Sequence, residues 1–339
     1  MVVSATSNQA TKASTTEPGE AKLKRPAHGP ITLETGGKAD QVSVSKGANG
    51  RYEVDVNGTK YSFSKEEMAR LKIKTGAGAD TVTVGKDVDV PVKVATGRGG
   101  DTVVNHSDGA RINTGKGADN VQSDGDRVKI NTGAGADKVE STGDHGRIRT
   151  GRGQDDVYVS GDHNKVRTGR GDDQIEILGD HNKVRAGKGD DTVNSTGDHT
   201  RVLGGRGDDL LLSTGDHNKI RGGKGDDQIA SVGDHNKIRA GKGDDTVLAQ
   251  GDDNRVRTGR GNDTAIIEGD GNHARTGKGA DDVLVTGDGN QVHTGKGADT
   301  IGVDGSWNNI STGRGKDEVI SVGDGVNIVD GKLRAPVRC

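Results

Sequence analysis

The sequence predicts an all-β protein: a right-handed parallel β-roll, or β-solenoid, of about 14 coils with an 18-residue period, carrying a small N-terminal β-hairpin plus helix cap. Three observations predict it. An aspartate closing a G-x-G-x-D loop recurs at Asp101, Asp119, Asp137, Asp155, Asp173, Asp191, Asp209, Asp227, Asp245, Asp263, Asp281, Asp299 and Asp317, a step of 18 throughout. Each 18-residue unit splits into two nines, each a turn of about six residues followed by a short strand with one aliphatic centre. Glycine supplies 58 of 339 residues, while the apolar set is only 28% and aromatics 1%. A chain this poor in core formers cannot fill a wide interior. It can fill a thin one in which each unit buries its face on its neighbours.

The N-terminal residues 1–30 are rich in Ser, Thr, Ala and Lys and contain no apolar stretch of the signal-peptide kind, so they read as disordered, a candidate export signal. Residues 31–74 read as the cap. Arg51 to Phe63 alternates around an Asn57-Gly58 turn and predicts a hairpin. Ser64 followed by Glu67 predicts the start of a short helix through Leu71. The degenerate loop Thr35-Gly36-Gly37-Lys38-Ala39-Asp40 lies inside this block. Residues 75–325 form the roll. Its first loop ends at Asp80, 21 residues before Asp101, which places a three-residue insertion near Val88 to Pro91. Residues 326–339 break the register and read as a C-terminal cap or tail.

Within one unit the strand alternation sorts the faces. Ile175 and Ile177 point inward and Glu176 outward; Val184 points inward, with Lys183 and Arg185 outward. The turns are too short for helices, so the coil is two thin parallel sheets back to back.

The first nine of each unit follows G-G-x-G-x-D-x-U-x, with Thr or Ala usually at the first position. This resembles the RTX, or hemolysin-type, calcium-binding repeat. The resemblance implies Ca2+ as the cofactor, with the thirteen loop aspartates and Asp80 as ligands alongside turn carbonyls. It also implies a secreted bacterial protein whose roll folds when calcium binds. The physics agrees, because stacked carboxylates and carbonyls suit a hard cation of six or more oxygen ligands. The alternative at these positions is that the Asp side chains only cap turns. The second nine departs from the pattern. Its loop residue is Asn at 164, 182, 218, 236, 254, 272, 290 and 308, interrupted by Gly146 and Thr200. A neutral amide ladder is expected on that edge, and ions mainly on the other.

Other columns repeat with the same step. His145, His163, His181, His199, His217 and His235 stack on consecutive coils, either as a metal or pH site or as a solvated column made regular by duplication. Lys165, Arg167, Lys183, Arg185, Lys219, Arg221, Lys237 and Arg239 form a basic stripe on one sheet, suited to a polyanion or to preventing sheet aggregation. The loop cations Arg152, Arg170, Lys188, Arg206, Lys224, Lys242 and Arg260 are expected to pair with Asp172, Asp190, Asp208, Asp226 and Asp244 between coils. Tyr158, Leu212, Leu248, Ile266, Leu284 and Ile320 form an outer apolar column on the opposite sheet, with Leu210 beside it. That column is a candidate surface for a protein partner or self-association.

The net charge of −3 is too balanced to mark a nucleic-acid binder by composition, and no run is long and apolar enough to span a membrane. Outside the repeats no Ser/His/Asp or His-Glu-x-x-His constellation occurs, so no enzyme activity is expected. Cys339 is alone and terminal.

Overall fold

The computed structural model describes residues 21–329 and 332–334. The expectations for residues 1–20 and for Cys339 lie outside them, whereas Lys22–Lys24, within the 1–30 segment expected to be disordered, forms a strand because it finds a free sheet edge to pair with.

Two parallel ladders run the length of the molecule, and each coil contributes one strand to each. Ladder A continues from Leu71–Ala77 through Lys93–Arg98 and then every 18 residues to Asn309–Arg314. Ladder B takes Thr81–Val84, Thr102–Asn105 and their successors to Glu318–Val322. Pairing joins equivalent residues of successive coils, such as Ile175 with Val193 and Val184 with Val202. Such regular pairing follows from the constant step, because any one-residue slip would turn a strand's apolar side to solvent. The imidazole centroids of successive coils lie 4.8–4.9 Å apart, which is the rise per coil.

The N-terminal end is built from β1 (Lys22–Lys24), β2 (Ile31–Glu34), β3 (Gln41–Lys46), β4 (Tyr52–Val56), β5 (Thr59–Phe63) and α1 (Lys65–Arg70). β2 pairs parallel with Leu71–Ala77, and β3 pairs parallel with Thr81–Val84. The degenerate Thr35–Asp40 loop therefore belongs to a true coil, and the solenoid begins at Ile31 rather than at residue 75. The hairpin and α1 are an excursion from this first coil. β4 adds antiparallel to β3, β5 adds to β4, and β1 adds antiparallel to β2. Both sheet edges at this end are thus closed by antiparallel strands, as unpaired strand edges require. Ser64 accepts from the Glu67 N–H, and the Glu67 carboxylate accepts from the Ser64 N–H. Tyr52, Phe63 and Met68 are buried here. The inserted turn near Val88 packs on this block, with Asp89 bonded to Tyr52, Lys46 and Lys65.

At the other end the register lasts longer than the sequence suggests. Asn327–Val329 still pairs with Asn309–Ser311 at a step of 18, and only Lys332–Arg334 shortens it, pairing with Glu318–Ile320.

The core is two columns per ladder. Val166, Val184, Val202 and Ile220 fill the first column of ladder A; Ile175, Val193, Leu211 and Ile229 fill the first of ladder B. The second columns are smaller. In ladder A the second column is Thr over most coils but becomes Ala186, Gly204, Gly222 and Ala240 in the middle. The facing ladder B positions there are Ser195, Ser213, Ser231 and Ala249. The middle of the roll is therefore its thinnest part.

Candidate metal site

The G-x-G-x-D loops form one edge of the roll, between each ladder A strand and the next ladder B strand. Their aspartates point inward. Asp80 and the regular series from Asp101 to Asp299 are buried, and the terminal Asp317 is half-buried. Each carboxylate uses one oxygen identically. Oδ1 accepts from the backbone N–H of the equivalent residue one coil earlier, as in Asp101 N–H to Asp119 Oδ1 (2.9 Å) and Asp227 N–H to Asp245 Oδ1 (2.9 Å). The series runs unbroken from Asp40 to Asp317. The second oxygen of Asp80 accepts from Thr75 Oγ1, but beyond that coil it has no such donor. Oδ2 of Asp101 through Asp299 is buried and unbonded on all twelve coils.

A buried carboxylate oxygen without a donor disfavours the charged form. Burial is accordingly the main cause raising these groups. Asp119, Asp155, Asp209 and Asp263 are pushed up to about 6, Asp227 and Asp245 to about 7, and Asp191 to about 8. Asp80, Asp137, Asp173 and Asp281 are raised as well, again chiefly by burial. A threonine five residues earlier eases the effect in the outer coils, Thr114 beside Asp119 for example. The coils of Asp191, Asp209, Asp227 and Asp245 have Ala or Gly instead. At Gly204 and Gly222 the carboxylate occupies the vacated room: a Cβ there would lie 2.2–2.3 Å from Oδ2 of Asp209 or Asp227. The periodicity did not single out this threonine column. The signal was present as a T-G-x-G string that weakens at mid-chain.

The glycines hold the loops open for the carbonyls beneath. Gly117 has φ +130°, and a Cβ on it would lie 1.9 Å from the Gly99 carbonyl oxygen. Carbonyl oxygens of one coil thus sit directly under the glycines of the next, in a space any side chain would fill. Among the described residues no three His, Cys, Asp or Glu side chains converge on one point. Each coil offers one carboxylate, so backbone carbonyls have to complete any cation's shell. The donor set is all hard oxygen, anionic, stacked and short of positive charge. It fits a hard divalent cation, the ion that would supply the missing positive charge.

The opposite edge supplies an internal control. Its asparagines use Oδ1 in the same way, Asn218 N–H donating to Asn236 Oδ1 at 2.7 Å. The Nδ2 groups of Asn182, Asn218, Asn236, Asn290 and Asn308 then donate to glycine carbonyls, Asn218 to Gly197 O and Asn236 to Gly215 O for example, whereas those of Asn164, Asn254 and Asn272 are buried without an acceptor. The expected amide ladder is therefore a backbone-to-amide ladder. The amide N–H of Asn makes contacts that a carboxylate oxygen cannot.

The histidine column is explained by backbone conformation. His145, His163, His181, His199, His217 and His235 all have φ of 56–60°, and the same turn position is Gly271, Gly289 and Gly325 further on. Histidine tolerates this left-handed region better than most side chains. The rings stack with planes 1–4° apart, so their in-plane nitrogens point side by side and do not converge. The expected ion pairs between loop cations and Asp172, Asp190, Asp208, Asp226 and Asp244 are not formed among the described residues. Those carboxylates are occupied by backbone, Asp190 Oδ1 accepting from the Asp208 N–H for instance. The apolar column is in register, with Leu212, Leu284 and Ile320 38–48% exposed.

Fold and loops together define a parallel roll built on glycine–aspartate nonapeptides. The family model for the RTX calcium-binding nonapeptide repeat matches residues 140–175, 203–235 and 231–265. The solenoid is an RTX-type parallel β-roll, and the chain carries calcium-binding repeats. A search of the curated proteins returns no match.

Proposed function

We propose that this is a secreted calcium-binding repeat protein whose roll folds when Ca2+ binds and then presents flat sheets for interaction. Asp80, Asp101, Asp119, Asp137, Asp155, Asp173, Asp191, Asp209, Asp227, Asp245, Asp263, Asp281, Asp299 and Asp317 would hold the ions together with glycine carbonyls of the loops. The carrying observation is the row of buried Oδ2 atoms without a donor. When bound, the ion supplies the positive charge that these oxygens lack. The chain's own part is to stack the carboxylates one coil apart and to keep each Oδ1 tied to the preceding coil. Metal affinity becomes folding free energy, because the stack does not exist in the unfolded chain. Low cytosolic calcium then keeps the chain open for export, and calcium outside closes it. The role is binding and structural, without catalysis.

A second reading has its own support. The Oδ1 ladder of the aspartates is complete without any ion, and the asparagines continue theirs from Thr200 to Asn308, which favours a calcium-independent scaffold whose basic sheet or apolar column takes a partner. Far-UV circular dichroism in calcium and in chelator, with calorimetric ion counting, separates them. The calcium reading expects strand signal to appear on calcium addition, with heat and several ions per chain. An unchanged spectrum in chelator and no heat would leave only the scaffold.

A further inference from the structure

The chain is nearly neutral, yet one face is not. The ladder A strands from Leu71–Ala77 to Asn327–Val329 contain 31 of the protein's 48 Lys and Arg residues and no Asp or Glu. Outward positions form rows along the roll axis. The first row is basic on eleven consecutive coils: Lys72, Lys93, Arg111, Lys129, Arg147, Lys165, Lys183, Arg201, Lys219, Lys237 and Arg255. Two residues on, Arg149, Arg167, Arg185, Arg221, Arg239 and Arg257 form a second row, interrupted by Leu203. The loop cations lie beyond these rows, on the adjoining edge of the roll. Among the described residues, Lys74 is the one cation of these strands in an ion pair, with Glu34. The positive charge is uncompensated, and like-charge repulsion lowers the Lys237 pKa, Arg239 being the largest cause.

We infer that this face docks on an anionic lipid bilayer, through the phosphate groups of its headgroups. Two properties favour a charged plane over other polyanions. The cations form a two-dimensional array, about 48 Å long at the strand spacing and two rows wide. A plane of headgroups can meet both rows along their length, whereas a nucleic-acid duplex, being a cylinder, touches a sheet along a strip. No aromatic side chain stands on these strands from Leu71 to Val329 other than His273 and His293, so single-stranded bases have nothing to stack on. The face carries almost no apolar side chain for insertion. Binding is therefore peripheral, through charge alone, and is screened by salt. The opposite sheet carries Glu140, Asp156, Glu176, Glu268 and Asp282 and faces away. This docking goes beyond the calcium reading and does not rest on it.

The test is vesicle co-sedimentation of the full chain in calcium, using phosphatidylcholine vesicles with and without phosphatidylglycerol. The expected result is binding only with phosphatidylglycerol, falling steeply as salt rises. Each cation near an anionic leaflet contributes about fivefold, so K183Q/R185Q/K219Q/R221Q should lower partitioning by at least about 100-fold. The control K38Q/K86Q/K138Q/K316Q removes equal charge elsewhere and should leave it nearly unchanged. Circular dichroism confirms that both variants fold. Equal binding by the two variants, which is what calcium bridging would give, overturns the inference. So does binding to phosphatidylcholine alone, or release from the vesicles by duplex DNA or polyuronate at matched charge. If the roll proves to be folded in chelator, the same assay there tests the docking equally well, and only the calcium reading falls.

Discussion

Replacing Asp227 by Asn separates the two states of the roll. In the absence of an ion the Asp227 carboxyl is pushed up to about 7 by burial, from 3.8. Above pH 7 that displacement corresponds to about 4 kcal/mol of destabilisation if unscreened, at 1.36 kcal/mol per pH unit. The corner lies next to the exposed Asp226, so screening reduces the figure to about 1–2 kcal/mol. Asparagine keeps the Oδ1 acceptor for the Asp209 N–H (3.1 Å) and removes the charge, as it does throughout the other edge. Asp227→Asn should therefore stabilise the coils around it by about 1–2 kcal/mol in chelator at pH 8. At pH 5 the folded carboxyl is already protonated, and the gain should shrink to about a third. In calcium the sign reverses, because a ligand has been lost. Hydrogen exchange of the neighbouring amides reads the local stability, which suits a repeat array better than a global melt. Destabilisation in chelator at pH 8, together with an unaltered calcium isotherm, would show that the second carboxylate oxygen is comfortable as it stands. The aspartate corners would then have no unmet charge for a cation to balance.

Three further outcomes follow from the same geometry. The raised carboxyls bind protons more tightly folded than unfolded, so their contribution to the stability of the chelated roll should be greatest below about pH 4. That contribution should be lost as pH rises through 6 to 8, the range of Asp119, Asp191 and Asp227; a pH series of urea midpoints in chelator that rises toward pH 8 contradicts this. Gly117→Ala drives a methyl group to 1.9 Å from the Gly99 carbonyl in a left-handed turn and should destabilise its coil by more than about 2 kcal/mol in calcium or chelator alike, read by hydrogen exchange. Asn218→Asp removes the donor to Gly197 O and sets a carboxylate against that carbonyl, so it should destabilise the chelated roll by about 1–3 kcal/mol in urea titrations.

Much of the fold is legible in the sequence because a solenoid's neighbours in space are neighbours at a fixed step. Once Asp101 and Asp119 are known to be equivalent, the inward Ile175 and outward Glu176 follow from strand alternation. The start of the coils is not legible. The Asp40 loop lacks the regular step, since a hairpin and a helix separate it from Asp80, and only the pairing of β2 and β3 reveals it. The ion pairs expected of Arg170 and Lys188 fail because charge competes with the backbone. Asp172 and Asp190 answer first to N–H groups of the adjoining coil, which are nearer and fixed. The candidate site is half visible: periodicity locates the aspartates, but only the packing shows that Oδ1 is committed and Oδ2 is left over.

The narrowing at Gly204 and Gly222 means that the roll is not uniformly strong along its axis. Each joint between coils shares the same ladder bonds, so differences in side-chain filling decide which joint yields. Under tension from the two ends, rupture should begin between Ala186 and Ala240, where methyl and hydroxymethyl groups replace branched chains and acids carry the fill. Whatever ion or proton concentration prevails there would set the breaking force, which makes these four middle coils a mechanical fuse tuned by their surroundings.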